Sequence, residues 1–457
     1  MSESDLKIKP QLKGRIFLKA TLKNVSPLAL SDGQAVFSDA DIFRDHEGKP
    51  MIPGTSFMGA LKSYLEQYSK LKKNKAWNYL FGEAEKFQSH LIFDDLKCTS
   101  EKVYTSVRDG VKIDGKTNLA EDQGKYDYEL LEPEHGFFLT GEITIREAGG
   151  SLQSEIDILL GAISYVLSKG KLQVGSLTSF GFGQLQGQIT KTELLQGNDY
   201  FDFLENGSSY SDDKEDDKED VKEDDKNLQE SHCLAINMKL KPTTPFFIGG
   251  GTPKADADDA SLQSRGHYIV SAKSMKGALR HHAYRIANTV HDETIANELC
   301  NAIFGNRDSK ILTKSKFWTT DAQLKNPDVK KEQMQVKIDR FTGGAIDSAL
   351  FSTEPVWPKD DSSVKVKWKL AVMDEKYKKA AIGLLLLVAR DLMRELLPVG
   401  GNKAIGRGRF ENKECSIEIN GQSHSFKIKG NRLTTDNEEQ LNSYVTAFLD
   451  YKNEASE

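Results

Sequence analysis

The chain repeats itself, and that limits its fold more than any other feature does. Ile52-Pro53-Gly54-Thr55-Ser56-Phe57-Met58-Gly59-Ala60-Leu61-Lys62 returns as Val270-Ser271-Ala272-Lys273-Ser274-Met275-Lys276-Gly277-Ala278-Leu279-Arg280. Around this pair, Pro27–Gly33 parallels Pro245–Gly251, Leu80-Phe81-Gly82 parallels Ile303-Phe304-Gly305, and Val111–Asp114 parallels Val336–Asp339. Glu132-Pro133 parallels Glu354-Pro355, and Gly175 through Gly183 parallels Gly400 through Gly408. These matches are collinear, with offsets drifting only between 218 and 225. Order kept over such a length predicts two homologous domains, at 10–205 and 231–430, leaving 206–230 between them and a tail at 431–457.

The segment between the domains is acidic. Asp212 to Asp225 holds ten Asp or Glu against three Lys, a local charge of −7, while the whole chain carries −6. The two bodies are therefore close to neutral and free to carry basic stripes, so global charge does not exclude RNA or DNA. Such a segment cannot bury a core and reads as a flexible tether. A second reading lets it imitate a nucleic-acid backbone and compete for a basic groove. Hydrophobic content of 38% supports real cores elsewhere.

Cys98, Cys233, Cys300 and Cys415 lie far apart without a metal-ligand spacing, which fits reduced thiols. No signal peptide opens the chain, and the longest apolar run, Ala380 to Ala389, is much shorter than a membrane span. A cytoplasmic protein with no membrane partner is expected.

Each half shows the same local pattern. Residues 15–24 partly alternate and predict a strand, 42–52 a hairpin turning at His46-Glu47-Gly48-Lys49, and 55–71 a helix with Phe57, Leu61, Leu65, Tyr68 and Leu71 on one stripe. Further helices are predicted at 153–168 and 376–397, each followed by a Gly-rich turn and a strand. Strands with two packing helices fit an α+β, ferredoxin-like unit carrying long insertions. The helix starts offer free N–H groups suited to an anion. His281-His282 fall on the second such helix, where the first domain has Ser63-Tyr64, and read as surface or partly buried histidines.

The Gly-rich turns hold Gly181 and Gly183 in the first half and Lys403, Arg407 and Arg409 in the second. Clustered glycines admit close backbone approach, and successive N–H groups can nest an anion. Neither turn has P-loop spacing, and the order helix, loop, strand also excludes a dinucleotide fingerprint.

Taken together, the I-P-G-[TS]-S-x-x-G-A-L-[KR] motif, the segment Lys337-Ile338-Asp339-Arg340-Phe341-Thr342-Gly343-Gly344-Ala345, and the terminal G-x-G turn resemble the RAMP superfamily. More narrowly they resemble the backbone subunits of type III CRISPR effector complexes, and two domains in one chain resemble subtype III-D-like assemblies. The resemblance implies two tandem ferredoxin-like, RRM-like domains with thumb hairpins that grip guide RNA. It also implies metal-dependent cleavage of the paired target RNA in an antiviral ribonucleoprotein with other CRISPR subunits. By this resemblance Asp39 is the catalytic and metal-holding carboxylate, with Mg2+ or Mn2+ as the cofactor. In the second domain Asp259 is placed first, and Asp258 and Asp256 remain open. Guide contacts are expected from Thr55, Ser56, Lys62, Lys276 and Arg280 at the helix starts, from Arg108, Lys112, Lys337 and Arg340 at the thumbs, and from Gly181, Gly183, Lys403, Arg407 and Arg409 at the Gly turns. Two other roles compete: a catalytically inert RNA scaffold, and a guide-precursor endoribonuclease.

Overall fold

The computed structural model describes residues 12–31, 38–86, 88–114, 120–146, 151–194, 219–223, 228, 232–250, 258–306, 313–328, 332–429 and 432–452. Two compact units result. One comprises Met1–Ser106, Tyr128–Thr178 and Phe182–Glu230; the other comprises Val107–Asp127, Ser179–Gly181 and Ser231–Glu457.

The first unit is built on β1 (Leu12–Asn24), whose alternation buries Ile16, Leu18, Ala20 and Leu22. Strand β1 pairs antiparallel with β2 (Gly136–Arg146) on one side and β3 (Gln184–Leu194) on the other. Helices α1 (Gly54–Leu65) and α2 (Gln153–Ser168) lend Phe57, Leu61, Ile156 and Ile163 to the same core. This is the expected ferredoxin-like α+β unit. The predicted helix 55–71 ends at Leu65, and a separate turn, Ser69–Lys72, keeps Leu71 buried. The hairpin at 42–52 forms as expected, with Asp45 N donating to Lys49 O at 2.8 Å.

The second unit repeats the plan on β4 (His232–Pro242), between β5 (Pro358–Ala371) and β6 (Glu414–Ile419), and extends it through β7 (Gln422–Lys429) and β8 (Arg432–Thr435). Helices α3 (Ala272–Val290) and α4 (Glu375–Met393) cover one face. All four cysteines of the chain are free and buried.

Three boundaries differ from the sequence reading. Within 206–230, Glu219–Asp220 adds a strand to the first sheet, pairing with Thr190 and Lys191, and Val221 and Leu228 are buried in the first core. The two apolar side chains are what the charge count overlooked. Residues set aside as a tail form β8 and α5 (Glu438–Leu449), whose Leu441 and Phe448 enter the second core. The thumb hairpin at 107–127 belongs to the second unit.

Helix α5 comes so close to α4 that a Cβ on Gly383 would stand 2.1 Å from the Tyr444 carbonyl. Gly383→Ala should therefore destabilise the protein by about 1–3 kcal/mol, measured by denaturant unfolding; an unchanged midpoint would contradict the packing described.

Candidate nucleic-acid interface

The first acidic loop is held from within. Asp41, buried, accepts from Ser38 N at 2.8 Å and from Ser38 Oγ at 2.6 Å. Glu129 anchors the outgoing chain: its carboxylate accepts from Ile42 N at 3.1 Å and binds Arg44 through both guanidinium nitrogens, and its N–H donates to Ala40 O. Asp39 lies between these anchors and is exposed. The loop thus spends one carboxylate on its own geometry and presents another to solvent.

Hydrogen bonding also resolves the second loop. Phe43 N donates to Leu30 O at 2.6 Å, and Leu262 N donates to Ile248 O at 2.7 Å. Equating these bonds sets Asp258 over Asp39, so Asp258 and not Asp259 is the counterpart. On sequence alone the likeness of Asp259-Ala260-Ser261-Leu262 to Asp39-Ala40-Asp41-Ile42 puts Asp259 first, because loops of unequal length leave the register open. The Asp258 carboxylate accepts from Ser352 N at 2.7 Å while Ser352 Oγ accepts from Asp258 N at 3.1 Å. Asp259 pairs as a strand with Thr353, and desolvation, then the charge of Asp109, raises its carboxyl above the ordinary value. Asp256 lies outside the described residues. Similarly, the bridges Leu28–Leu131 and Phe246–Val356 equate Pro133 with Pro358 and Glu129 with Glu354, correcting the Glu132–Glu354 match by three residues.

At the helix starts, several expected phosphate ligands have other work. Gly54 N donates to Asp95 Oδ1 at 2.8 Å, and Ala272 N donates to Asp321 Oδ1 at 2.8 Å. Each helix therefore has a carboxylate of its own chain at its positive end. Ser271 caps the second helix through Ser274 N, whereas Pro53 begins the first without a side-chain cap. Thr55 is exposed and Ser56 half-buried in the first turn. Lys62 Nζ donates to Phe81 O and Gly82 O, both at 3.1 Å. Arg280 donates to Gly305 O at 2.6 Å and Asn301 Oδ1 at 2.8 Å. The paired cations thus close the C-terminal ends of the short helices at Phe81-Gly82 and Phe304-Gly305, which is why motif and turn recur together. Lys276 is buried and bound to Ser315 Oγ and Phe317 O.

The Gly turns are closed as well. Gly183 N donates to Pro27 O at 2.7 Å and Val174 N to Gly183 O at 2.9 Å; Gly408 N donates to Pro245 O and Val399 N to Gly408 O. A Cβ on Gly183 or Gly408 would meet the Val174 or Val399 carbonyl at 1.9 or 2.2 Å, so glycine is required there for packing. Gly181 is buried too. Arg407 is buried and contacts Thr353 Oγ1 and Gln333 Oε1, while Arg409 is exposed. Arg108 is also buried, paired with Asp321 at 2.6 Å. Neither Arg407 nor Arg108 faces solvent, which removes both from a phosphate-facing role in this conformation. Lys112 is exposed and pairs with Glu121; Lys337 and Arg340 are exposed beside Phe341, which stands fully exposed at the hairpin turn.

One stripe of α3 is also open to a ligand. Gly277, His281 and Arg285 follow at i, i+4 and i+8, and Lys403 of the Gly turn acts on the latter two. Arg285 donates to His282 Nδ1 at 2.8 Å, and buried His282 donates to Asp391 Oδ2 at 2.8 Å, so the guanidinium is held in place. Desolvation, then the charges of Lys403 and Arg285, lowers His281; desolvation, then Arg285, lowers the exposed Lys403. Arg285 and Lys403 are thus neighbouring like charges beside a His281 that burial keeps toward its neutral form. Gly277 and its counterpart Gly59 are exposed inside helices with nothing within 4 Å of an added Cβ. Packing gives no reason for glycine at either place, although each costs about 1 kcal/mol of helix stability. The sequence signal for this stripe was the shared glycine, outweighed by the more obvious cations. Lys62→Met should lower stability by about 1–3 kcal/mol while leaving RNA affinity unchanged, read by unfolding and anisotropy on the same sample; a selective loss of affinity would return Lys62 to the interface.

Among the described residues no cluster of three or more His, Cys, Asp or Glu is arranged for a metal, and no helix is long and apolar enough to cross a membrane. A search of curated proteins finds no match. The family model of the RAMP superfamily matches residues 21–186 and 239–411, well over half the chain and one region in each repeat. The chain belongs to the RAMP superfamily, carries its domain twice, and is thereby a CRISPR-associated RNA-binding subunit.

Proposed function

We propose that this chain is a two-domain backbone subunit of a type III, III-D-like CRISPR ribonucleoprotein that holds guide RNA along the α1 and α3 stripes and cleaves paired target RNA beside Asp39. The observation that carries the RNA grip is the recurrence of an exposed helical glycine at Gly59 and Gly277, the second followed along its helix face by exposed Arg285 with Lys403 nearby. A helix surface without a Cβ lets a ribose-phosphate backbone lie close, and Arg285 and Lys403 neutralise it there without reading bases. Base pairing with the guide then selects the target.

For cleavage, the RNA supplies its own nucleophile. Its 2′-hydroxyl loses a proton, attacks the adjacent phosphorus in line, and expels the 5′-oxygen, which takes up a proton; the products are a 2′,3′-cyclic phosphate and a 5′-hydroxyl. Asp39, between the Asp41–Ser38 turn and the Glu129–Arg44 pair, is exposed to solvent, and its carboxylate would be a hard-oxygen ligand for a divalent cation. Bound at Asp39, Mg2+ or Mn2+ supplies positive charge for the departing oxygen. The first unit keeps Pro53-Gly54 of the motif where the second has Ser271-Ala272, and is read as the cutter. The cytoplasm is the matching compartment for such an assembly.

In the assembled complex, Asp39→Ala should abolish one target product, with a rate loss on the order of 10²-fold or more, and leave guide content unchanged; a pattern that Asp258→Ala alters and Asp39→Ala does not would reverse the assignment. Gly277→Ala should raise stability by about 1 kcal/mol, and Gly277→Leu should weaken binding of guide RNA at least tenfold in a direct titration. Unchanged binding by Gly277→Leu would sink the proposed grip.

A further inference from the structure

The face of the second sheet that no helix covers carries charge that its own unit leaves uncompensated. Lys365 and Lys367 point outward at alternate positions of β5, about 6.7 Å apart along the strand. Lys239 on β4 lies directly opposite Lys365, and Asn237 opposite Lys367. Like charges facing each other across a strand pair are destabilising. None of the three lysines has an ion-pair or hydrogen-bond partner among the described residues, and all three are exposed. On the first sheet, by contrast, Arg15 of β1 is paired with Glu142 of β2 at 3.2 Å.

These lysines border an open groove of about 750 Å³ that runs across β5, β4, β6 and β7. The two acids on its lining are already engaged: Glu414 with Lys427 at 2.8 Å, and Asp436 with His424 at 3.5 Å and with Ser425 N at 3.1 Å. Ser416 and Ser425, which share the lysines' face through the pairs Asn237–Ser416 and Ser416–Ser425, add hydroxyls to the groove's lining.

We propose that this groove is a second nucleic-acid site, which takes the phosphate backbone of a single strand on Lys239, Lys365 and Lys367. Alternate residues of a strand repeat at a step comparable to that between successive phosphates of an extended chain, so one strand of lysines can follow one strand of nucleic acid. Binding is independent of sequence and strongly salt-dependent. The site lies apart from the α3 stripe in residue content and needs no catalysis at Asp39; it rests only on the chain being an RNA-binding protein.

The test is a titration of the full-length protein with a labelled single-stranded RNA of mixed sequence over a range of salt concentrations. Replacing Lys239, Lys365 and Lys367 together by Gln should reduce the slope of log K against log salt by about 2, at roughly 0.7 per phosphate contact. Affinity at low salt should fall at least tenfold, and the Arg triple variant should retain both. The Gln variant removes repulsion, so it should unfold no earlier than the parent. The Arg285→Gln/Lys403→Gln pair serves as a separate arm: if it loses slope while the triple Gln variant does not, the α3 grip stands and this proposal alone is overturned. A triple variant with full RNA binding that loses a co-purifying subunit identifies a protein-docking face and overturns it too. So does a parent slope that steepens by the same amount when the acids of 212–225 are neutralised, with the triple Gln variant unaffected, since the groove is then occupied by the chain itself.

Discussion

Each unit depends on a backbone clamp between the segment just after its first strand and its Gly turn. Pro27 O receives Gly183 N at 2.7 Å, and Ala29 O receives Ser176 N at the same distance; Pro245 O and Phe247 O receive Gly408 N and Gly401 N. The clamp exists only because Gly175, Gly183, Gly400 and Gly408 adopt positive φ and leave no Cβ between the chains. One residue beyond it, Leu30 O and Ile248 O receive the N–H groups of Phe43 and Leu262, which end the two acidic loops. The position of Asp39 is therefore set by main-chain bonds radiating from a turn about 140 residues further along the sequence.

This explains which features could be read from the residues. The alternation of β1, the periodicity of α2 and the recurrence of the turns are consequences of burial and backbone strain, and these leave a pattern in the residue types. The cations do not. Lys62 and Arg280 look like phosphate ligands because a sequence states their charge and not the carbonyls they meet, and Arg407 and Arg108 are buried in partnerships whose other members lie about 50 to more than 200 residues away. Asp258 was undervalued for a related reason: loops of unequal length carry no register, and only the bonds at Leu30 and Ile248 supply one. The acidic segment hid Val221, and the polar ends of the last segment hid an amphipathic helix.

The two copies have diverged by exchanging the means of support rather than the plan. At the Gly turn the first unit buries Phe182 where the second buries Arg407. A phenyl ring fills its site by contact alone, whereas a guanidinium must find acceptors, and Arg407 takes Gln333 and Thr353, the opposing residues at the base of the second hairpin. That base is thereby tied to the turn by polar bonds, and β9 (Asp259–Ala260) pairs with the same Thr353. The acidic loop, the hairpin and the turn of the second unit so form one hydrogen-bonded body, in which Asp258 is a structural member through Ser352.

In the first unit the corresponding loop closes on Ser38, Asp41 and Glu129, with Asp39 exposed between them. A group that holds the fold together cannot also be free to meet a substrate, because changing its partners would release the elements it joins. The same reasoning separates the cations. Arg407 and Arg280 are committed to the fold, while Arg285 is braced by His282 and Asp391 yet keeps an exposed side chain. Bracing from behind with an open front is the arrangement a binding group needs, since it removes side-chain entropy before the ligand arrives. By that criterion Arg285 is the poised cation of the second unit, a role left to it because Arg280 and Arg407 are already used to hold that copy together.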